Sequence, residues 1–406
     1  ATYGYADSRD NAPNAFTPQA TKGVEWKVGV RDKTQWGLGT DIYTRTTHTT
    51  LIGVNRAILP LTDYYDSPVG IELTQRLWRD GFGSATRAGL NAQRAASRSA
   101  WLRNRFELKN LMLRAENTYW SLVSLNQIVK LQEENVARAK KLMDYMRGRS
   151  RMKLVDDVDS LQAQAALESR ELELMASLDE RAVTIRAFNT LRGGTTDDLA
   201  TLPGLPADEI LLKSVRDPAQ RMSREDFSAI YQDALAIEGK AQSDQSQIAP
   251  QLDLKGGVFA NALNAEAGKA YDGLQDGKNP NWYVGVAFSI PLDYSLLNSM
   301  RRSYKAQRAL ADHQRAAAEY QEQRVWDDLN KQREEAQRRY QKAISAEEIQ
   351  TTVVNRERQR MMNGRTTTFQ LNQQENALAA TQILRVRSQL ALLASHNVLK
   401  QFEVQK

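Results

Sequence analysis

Between residues 281 and 293 the chain alternates strictly. Trp282, Val284, Val286, Phe288, Ile290 and Leu292 are apolar, and Gly285, Ala287, Ser289, Pro291 and Asp293 between them are small or polar. A period of two predicts a strand with one apolar face. The alternation then stops, and a stretch rich in Ala, Arg, Lys and Gln runs from about 296 to 362 without Gly or Pro. That pattern predicts a long helix joined to the strand with almost no connecting segment.

The same succession occurs earlier. Val24, Trp26, Val28, Val30, Trp36, Leu38 and Ile42 alternate with Glu25, Lys27, Gly29, Arg31, Gly37, Gly39 and Asp41, which predicts one long strand from 24 to about 48. A second strand sets Val69, Ile71, Leu73 and Leu77 against Gly70, Glu72, Thr74 and Arg76. A helical pattern follows from about Ser84 to Arg147 and would span roughly 95 Å at 1.5 Å per residue. Gly148 interrupts it, and a return helix is predicted over 155–191; Gly364 interrupts the later helix in the same way, before a last helix to about 403. The chain divides into a lead-in (1–23), a first strand pair (24–80), a first helical hairpin (81–191) and a linker (192–221). A helix (222–248), a second strand pair (249–293) and a second helical hairpin (294–404) complete it.

Three anchors predict an internal duplication. Gly70 in "VGIEL" precedes Gly285 in "VGVAF" by 215 positions, "AQRA" at Ala92 precedes "AQRA" at Ala306 by 214, and Gly148 precedes Gly364 by 216. Each half supplies only two strands, and a lone strand pair has open edges and marginal stability. Several copies together would close a sheet with apolar residues toward lipid and small or charged ones toward a lumen. Val69, Ile71, Leu73, Val284, Val286, Phe288 and Ile290 are the candidate lipid-facing positions. A soluble sandwich alternates in the same way, but it would not cover helices attached directly to its strands.

Composition narrows the choice. The chain has 406 residues, 41% hydrophobic and 7% aromatic, with a mean hydropathy of −0.58, which suits elongated amphipathic helices better than one large core. No apolar run approaches the roughly 18 residues of a membrane-spanning helix. The opening "ATYGYADSRD" has no signal-peptide pattern and no cysteine for a lipid anchor, as expected of a mature exported chain or a cytosolic one. The absence of cysteine excludes disulfides, thiol catalysis and thiolate metal sites. The 55 Lys and Arg and 49 Asp and Glu are mixed along the helices, so no nucleic-acid face is expected. His48, His313 and His396 are scattered, and no nucleotide-binding, hydrolase or metalloprotease motif is present, so neither an enzyme nor a metal or cofactor site is expected.

In its duplicated order, its "APQLDL" strand, its "GVAFSIPL" passage into a helix and its Gly-centred helical turns, the chain resembles the TolC-like outer-membrane efflux proteins over about residues 24–404. The resemblance implies a mixed α/β membrane protein. Three copies would share a twelve-stranded β-barrel in the outer membrane of a Gram-negative bacterium, continuing into a long α-helical barrel in the periplasm. It implies the exit duct of a tripartite efflux or type I secretion system, working with an adaptor protein and an inner-membrane pump. Gly148 and Gly364 would mark the periplasmic tips, each in a turn that needs positive φ. The family's acidic entrance positions fall on Gln370 and Gln373 here, which argues against an acidic ring. Asp156, Asp157 and Asp159 stand instead in the first half, and Arg149, Arg151 and Arg365 are the expected partners holding the entrance shut. The family's helix before the first strand pair has no clear counterpart ahead of Val24. A coiled-coil scaffold of the cell envelope is the alternative reading.

Overall fold

The computed structural model describes residues 1–9, 17–57, 59–153, 156–194, 204–206, 208, 222–274 and 280–402. The strands are β1 (Thr2–Arg9), β2 (Ala20–Lys33), β3 (Leu38–Ile52), β4 (Asp63–Asp66), β5 (Val69–Arg76), β6 (Gln251–Ala260), β7 (Leu263–Asn264) and β8 (Pro280–Ser289). The helices are α1 (Ser84–Arg151), α2 (Asp157–Leu191), α3 (Glu225–Ser246), α4 (Ala267–Asp272), α5 (Tyr294–Met362) and α6 (Thr368–Leu399). Most of the linker expected over 192–221 lies outside the described residues. Two compact units are formed, residues 1–99 with 230–315, and residues 100–229 with 316–406.

The first unit is built on one antiparallel sheet of order β1-β2-β3-β5-β6-β8, with β4 and β7 attached beside β3. Two expectations are corrected here. The single strand predicted over 24–48 is a hairpin: Gly37 takes φ 78° and its N–H bonds the Thr34 carbonyl at 3.0 Å. Alternation resumes across this turn without a break in hydrophobicity, so periodicity alone did not expose it. The lead-in is also structured, because β1 pairs with β2 over eight residues. The path therefore holds six strands where the alternation suggested four.

Small residues set the helix packing in this unit. Ala85, Ala88, Ala92 and Ala95 on α1 and Ala234 and Ala241 on α3 are buried. A Cβ on Gly239 would stand 3.0 Å from the Ala88 carbonyl oxygen and 3.2 Å from Ala92 Cβ. The two helices approach at a distance that larger side chains would forbid.

Each passage from strand to long helix is closed by an aspartate. Asp80, only 4% exposed, accepts from the Thr86 N–H at 2.8 Å, the Thr86 hydroxyl at 2.5 Å and Lys33 Nζ at 2.7 Å. Asp293 accepts from the Leu296 N–H at 3.0 Å and the Ser295 hydroxyl at 2.8 Å. Both supply acceptors to N–H groups that a helix start leaves without partners. At the first junction Asp80, Phe82 and Gly83 all have positive φ. A side chain on Gly83 would lie 2.1 Å from the Gln35 carbonyl oxygen, so only glycine lets this turn pack against the β2–β3 hairpin.

The second unit buries larger apolar groups. One cluster joins Ala336, Tyr340, Leu392 and Leu393, with Trp120 and Leu205 against it. Another joins Leu125, Ile128, Leu131 and Val386. A polar clasp holds Pro206 and Asp208: Tyr340 donates to Asp208, Arg385 lies 3.4 Å from Asp208 and pairs with Glu347 at 2.5 Å, and Gln389 donates to the Pro206 carbonyl at 2.9 Å. Arg224 forms a second clasp. It pairs with Asp226 through two 2.7 Å bonds and lies over the rings of Phe106, Phe227 and Phe402.

Candidate functional site

In the first unit the candidate surface is the sheet itself. The register places Val30, Ile42, Ile71, Val258 and Trp282 side by side across five strands. Their exposures run from 47% at Ile71 to 76% at Trp282, so this apolar row is left open among the described residues. Val69, Leu73, Val284, Val286 and Phe288 share its face by strand parity, and each is exposed. Ile290 is also exposed, one residue beyond the end of β8. The adjoining row, on the opposite face, reads Arg31, Asp41, Glu72, Gly257 and Tyr283. There Arg31 pairs with Asp41 at 2.7 Å, Lys27 lies 3.6 Å from the same carboxylate, and Lys27 Nζ stands 3.8 Å above the Tyr43 ring. A Cβ on Gly257 would meet the Tyr283 ring at 2.6 Å, so glycine is what lets that tyrosine lie across the strand. One face thus repels water and the other holds charge.

The basic residues just beyond the strands are engaged within the chain. Arg76 lies 3.7 Å from Asp80, Arg79 donates to the Ala249 carbonyl at 3.1 Å, and Arg87 donates to the Phe82 carbonyl at 2.6 Å. Arg308 is 3.8 Å from Glu238, and Arg315 pairs with the same carboxylate at 2.5 Å.

In the second unit the candidate site is the pair of helix ends near 153 and 364. Gly364 takes φ 69° and its N–H bonds the Met361 carbonyl at 3.0 Å, as the expected turn requires. Gly148 differs from expectation: it lies within α1, and positive φ falls on Lys153 at 58°. The helix continues through Gly148 for three more residues, so the turn is made by side-chain-bearing residues after it. Asp156 caps α2, with its carboxylate toward the Val158 N–H, and Asp157 accepts from the Ser150 hydroxyl at 2.6 Å. Arg149 donates to the Tyr145 hydroxyl at 3.2 Å. Among the described residues no ion pair joins Arg149, Arg151 or Arg365 to Asp156, Asp157 or Asp159. Gln370 is held by the cap of α6, where its N–H bonds Thr367 Oγ1 at 3.2 Å and its side chain accepts from Thr366 at 2.7 Å. Gln373 is exposed.

The charged contacts that join these helices lie farther from the turns, on residues the sequence reading did not single out. Glu375 of α6 receives Arg358 of α5 through bonds of 2.7 and 2.6 Å, and Arg138 of α1 lies 3.6 Å away. Arg170 of α2 pairs with Glu173 at 2.6 Å and donates to Asn376 of α6. Beneath them Met146, Ala163, Met361 and Leu371 form a small apolar core. One signal was available: Glu375 is the sole acidic residue of α6, and an isolated carboxylate on a mostly buried helix commonly has a partner. Glu375→Gln removes the carboxylate that pairs with Arg358 and leaves Arg138 with Glu134 alone. The expected cost is about 2 kcal/mol, discounted for partial exposure. It should appear as a roughly thirtyfold loss of amide-exchange protection over residues 371–376.

No protein-family profile matches the chain, and no curated protein sequence matches it. Solved structures do. The outer membrane protein VceC of the bacterial pathogen Vibrio cholerae superposes with a TM-score of 0.71 at 17% identity, over 90% of this chain and 86% of that one. CusC, studied for the conformational changes accompanying folding and transmembrane channel formation, gives 0.69 at 14% identity over 94% and 82%. The MtrE outer membrane channel of Neisseria gonorrhoeae, in its open state, gives 0.63 at 14% over 96% and 80%. The chain therefore has the fold of these outer-membrane channel proteins, the fold that the TolC-like resemblance implies.

Proposed function

We propose that this chain is one subunit of a TolC-like channel in the outer membrane of a Gram-negative bacterium, a passive exit duct rather than an enzyme. The observation that carries the reading is the exposed apolar row Ile42–Ile71–Val258–Trp282 on β3, β5, β6 and β8, beside the charged row on the opposite face. Lipid on one side and a water-filled bore on the other satisfy both rows. The likeness in fold to outer-membrane channels supports it.

In this reading three copies supply β3, β5, β6 and β8 to a shared twelve-stranded barrel, and the two halves of each chain are structural repeats. The barrel requires the β1–β2 hairpin to yield the outer edge of β3 to β8 of a neighbour. The helices continue as a periplasmic barrel whose tips meet an adaptor protein, and an inner-membrane pump drives efflux or type I secretion. The tips form the gate, with Gly364 setting one turn and Arg149, Arg151, Asp156, Asp157, Asp159, Arg365, Gln370 and Gln373 around the entrance. In single copies Arg151 and Arg365 have no ion-pair partner among the described residues, so the gating pairs run between neighbouring copies.

Detergent extraction, mass determination and bilayer conductance test this together. A detergent-dependent trimer with discrete conductance is expected, and Asp157→Lys should raise the fraction of time spent open. A monomer soluble without detergent would overturn the channel and leave an envelope scaffold. A conducting trimer indifferent to Asp157→Lys would remove the gate assignment alone.

A further inference from the structure

We infer that a cavity in the second unit binds a small amphiphilic anion, such as an aromatic carboxylate or sulfonate. The cavity is about 480 Å³ and is lined from α1, α2, α5 and α6, a volume suited to a small molecule. Leu142, Tyr145, Met361 and Leu371 supply an apolar part of the lining. Arg138, Lys141, Arg170 and Arg358 also line it, with Glu375 as the only carboxylate among the described lining residues.

The charge count decides the ligand's sign. Glu375 is taken by Arg358, and Arg170 is taken by Glu173. Arg138 donates to Asn135 and has Glu134 and Glu375 each 3.6 Å away. Lys141 is exposed and has no ion-pair partner among the described residues. Even with Glu134 and Glu173 counted, four cations face three carboxylates. A cationic ligand would meet this surplus, and a neutral one would leave it unused. An anion placed against Lys141 gains a charge-assisted hydrogen bond while its apolar body covers the Leu142, Met361 and Leu371 side chains. The inference concerns the second unit alone and does not depend on the channel reading.

The test is calorimetric titration of the full detergent-solubilised chain with naphthalene-1-sulfonate, against a micelle blank. Saturable binding of one equivalent per chain is expected. Lys141→Gln and Ala139→Phe, which narrows the cavity, should each weaken it about tenfold or more. The neutral naphthalene-1-methanol should bind about tenfold more weakly than the sulfonate. Circular dichroism and the unfolding midpoint verify that each variant is folded, and Lys141→Gln, at an exposed site, keeps the test open if Ala139→Phe is not. No saturable binding above the blank, equal binding of the neutral alcohol, or sulfonate binding unchanged in a folded Lys141→Gln would each overturn the assignment.

Discussion

Ile71→Arg is expected to abolish stable insertion of this chain into lipid. Ile71 sits in the centre of the sheet, paired with Ile42 on one side and Val258 on the other, and nearly half of it is uncovered. An arginine at the middle of a lipid-facing band costs about 2–4 kcal/mol, a shift of roughly thirty- to several-hundredfold in the folded fraction. The next residue is its control. Glu72 lies on the charged face and accepts from the Tyr283 hydroxyl; Glu72→Gln keeps an oxygen for that contact and should cost under about 1 kcal/mol. Urea titration of refolding into lipid vesicles, with protease protection as the second readout, compares the two. Equal tolerance of both substitutions would mean that the apolar row does not meet lipid.

The second large effect belongs to Asp80→Ala. Three separate losses converge on that side chain. The start of α1 loses its cap on Thr86, worth about 1 kcal/mol. Lys33 and Arg76 lose their shared carboxylate, worth about 1–2 kcal/mol for partners that are one-third exposed. Alanine must also adopt φ 56°, at about 1 kcal/mol. Together they amount to about 3–4 kcal/mol, read as a fall in the denaturation midpoint. Asp80→Asn keeps an oxygen for Thr86 and tolerates the backbone, so it should lose only about half as much. Burial raises the Asp80 carboxyl, but the hydrogen bonds from Lys33 and Thr86 outweigh it and hold the group below the ordinary range. A depressed value means that this contribution is complete above the unfolded carboxyl pKa near 4 and fades as pH falls through the lower folded value. Asp80→Asn should therefore flatten the acid limb of the stability profile. An unchanged acid limb would show that the carboxylate is not what joins sheet to helix.

Much of this was legible before any coordinates. The period of two through Val284, Val286 and Phe288 located β8, and the long runs without proline located α1 and α5, because each signal is local and repeated many times. The β2–β3 hairpin was hidden for a physical reason. Its turn at 34–37 carries Trp36 and only one glycine, so neither hydrophobicity nor punctuation marks it, and the pairing that defines it lies between distant residues. Gly148 misled in the opposite direction. A glycine late in a helix looks like a stop, yet α1 absorbs it and Lys153 makes the bend. The acidic "DDVD" stretch attracted attention because its charges are adjacent in sequence. The carboxylate that ties the helices, Glu375, is solitary, and its partners Arg358 and Arg138 come together only after the chain has folded. Likewise Asp80 and Asp293 looked like ordinary polar residues until the helix starts beside them were known.

The fourteen paired positions between β2 and β3 also bear on how copies would join. In a solitary chain they occupy a strand edge that would otherwise invite indiscriminate pairing, whereas the outer edge of β8 has no strand paired to it among the described residues. Closure of the proposed ring is then an exchange rather than an addition, because one set of backbone bonds is released as an equivalent set forms. Such a trade is nearly balanced in hydrogen-bond energy. The commitment to assemble would come from the lipid that covers the apolar row, so that the membrane itself serves as the signal to oligomerise.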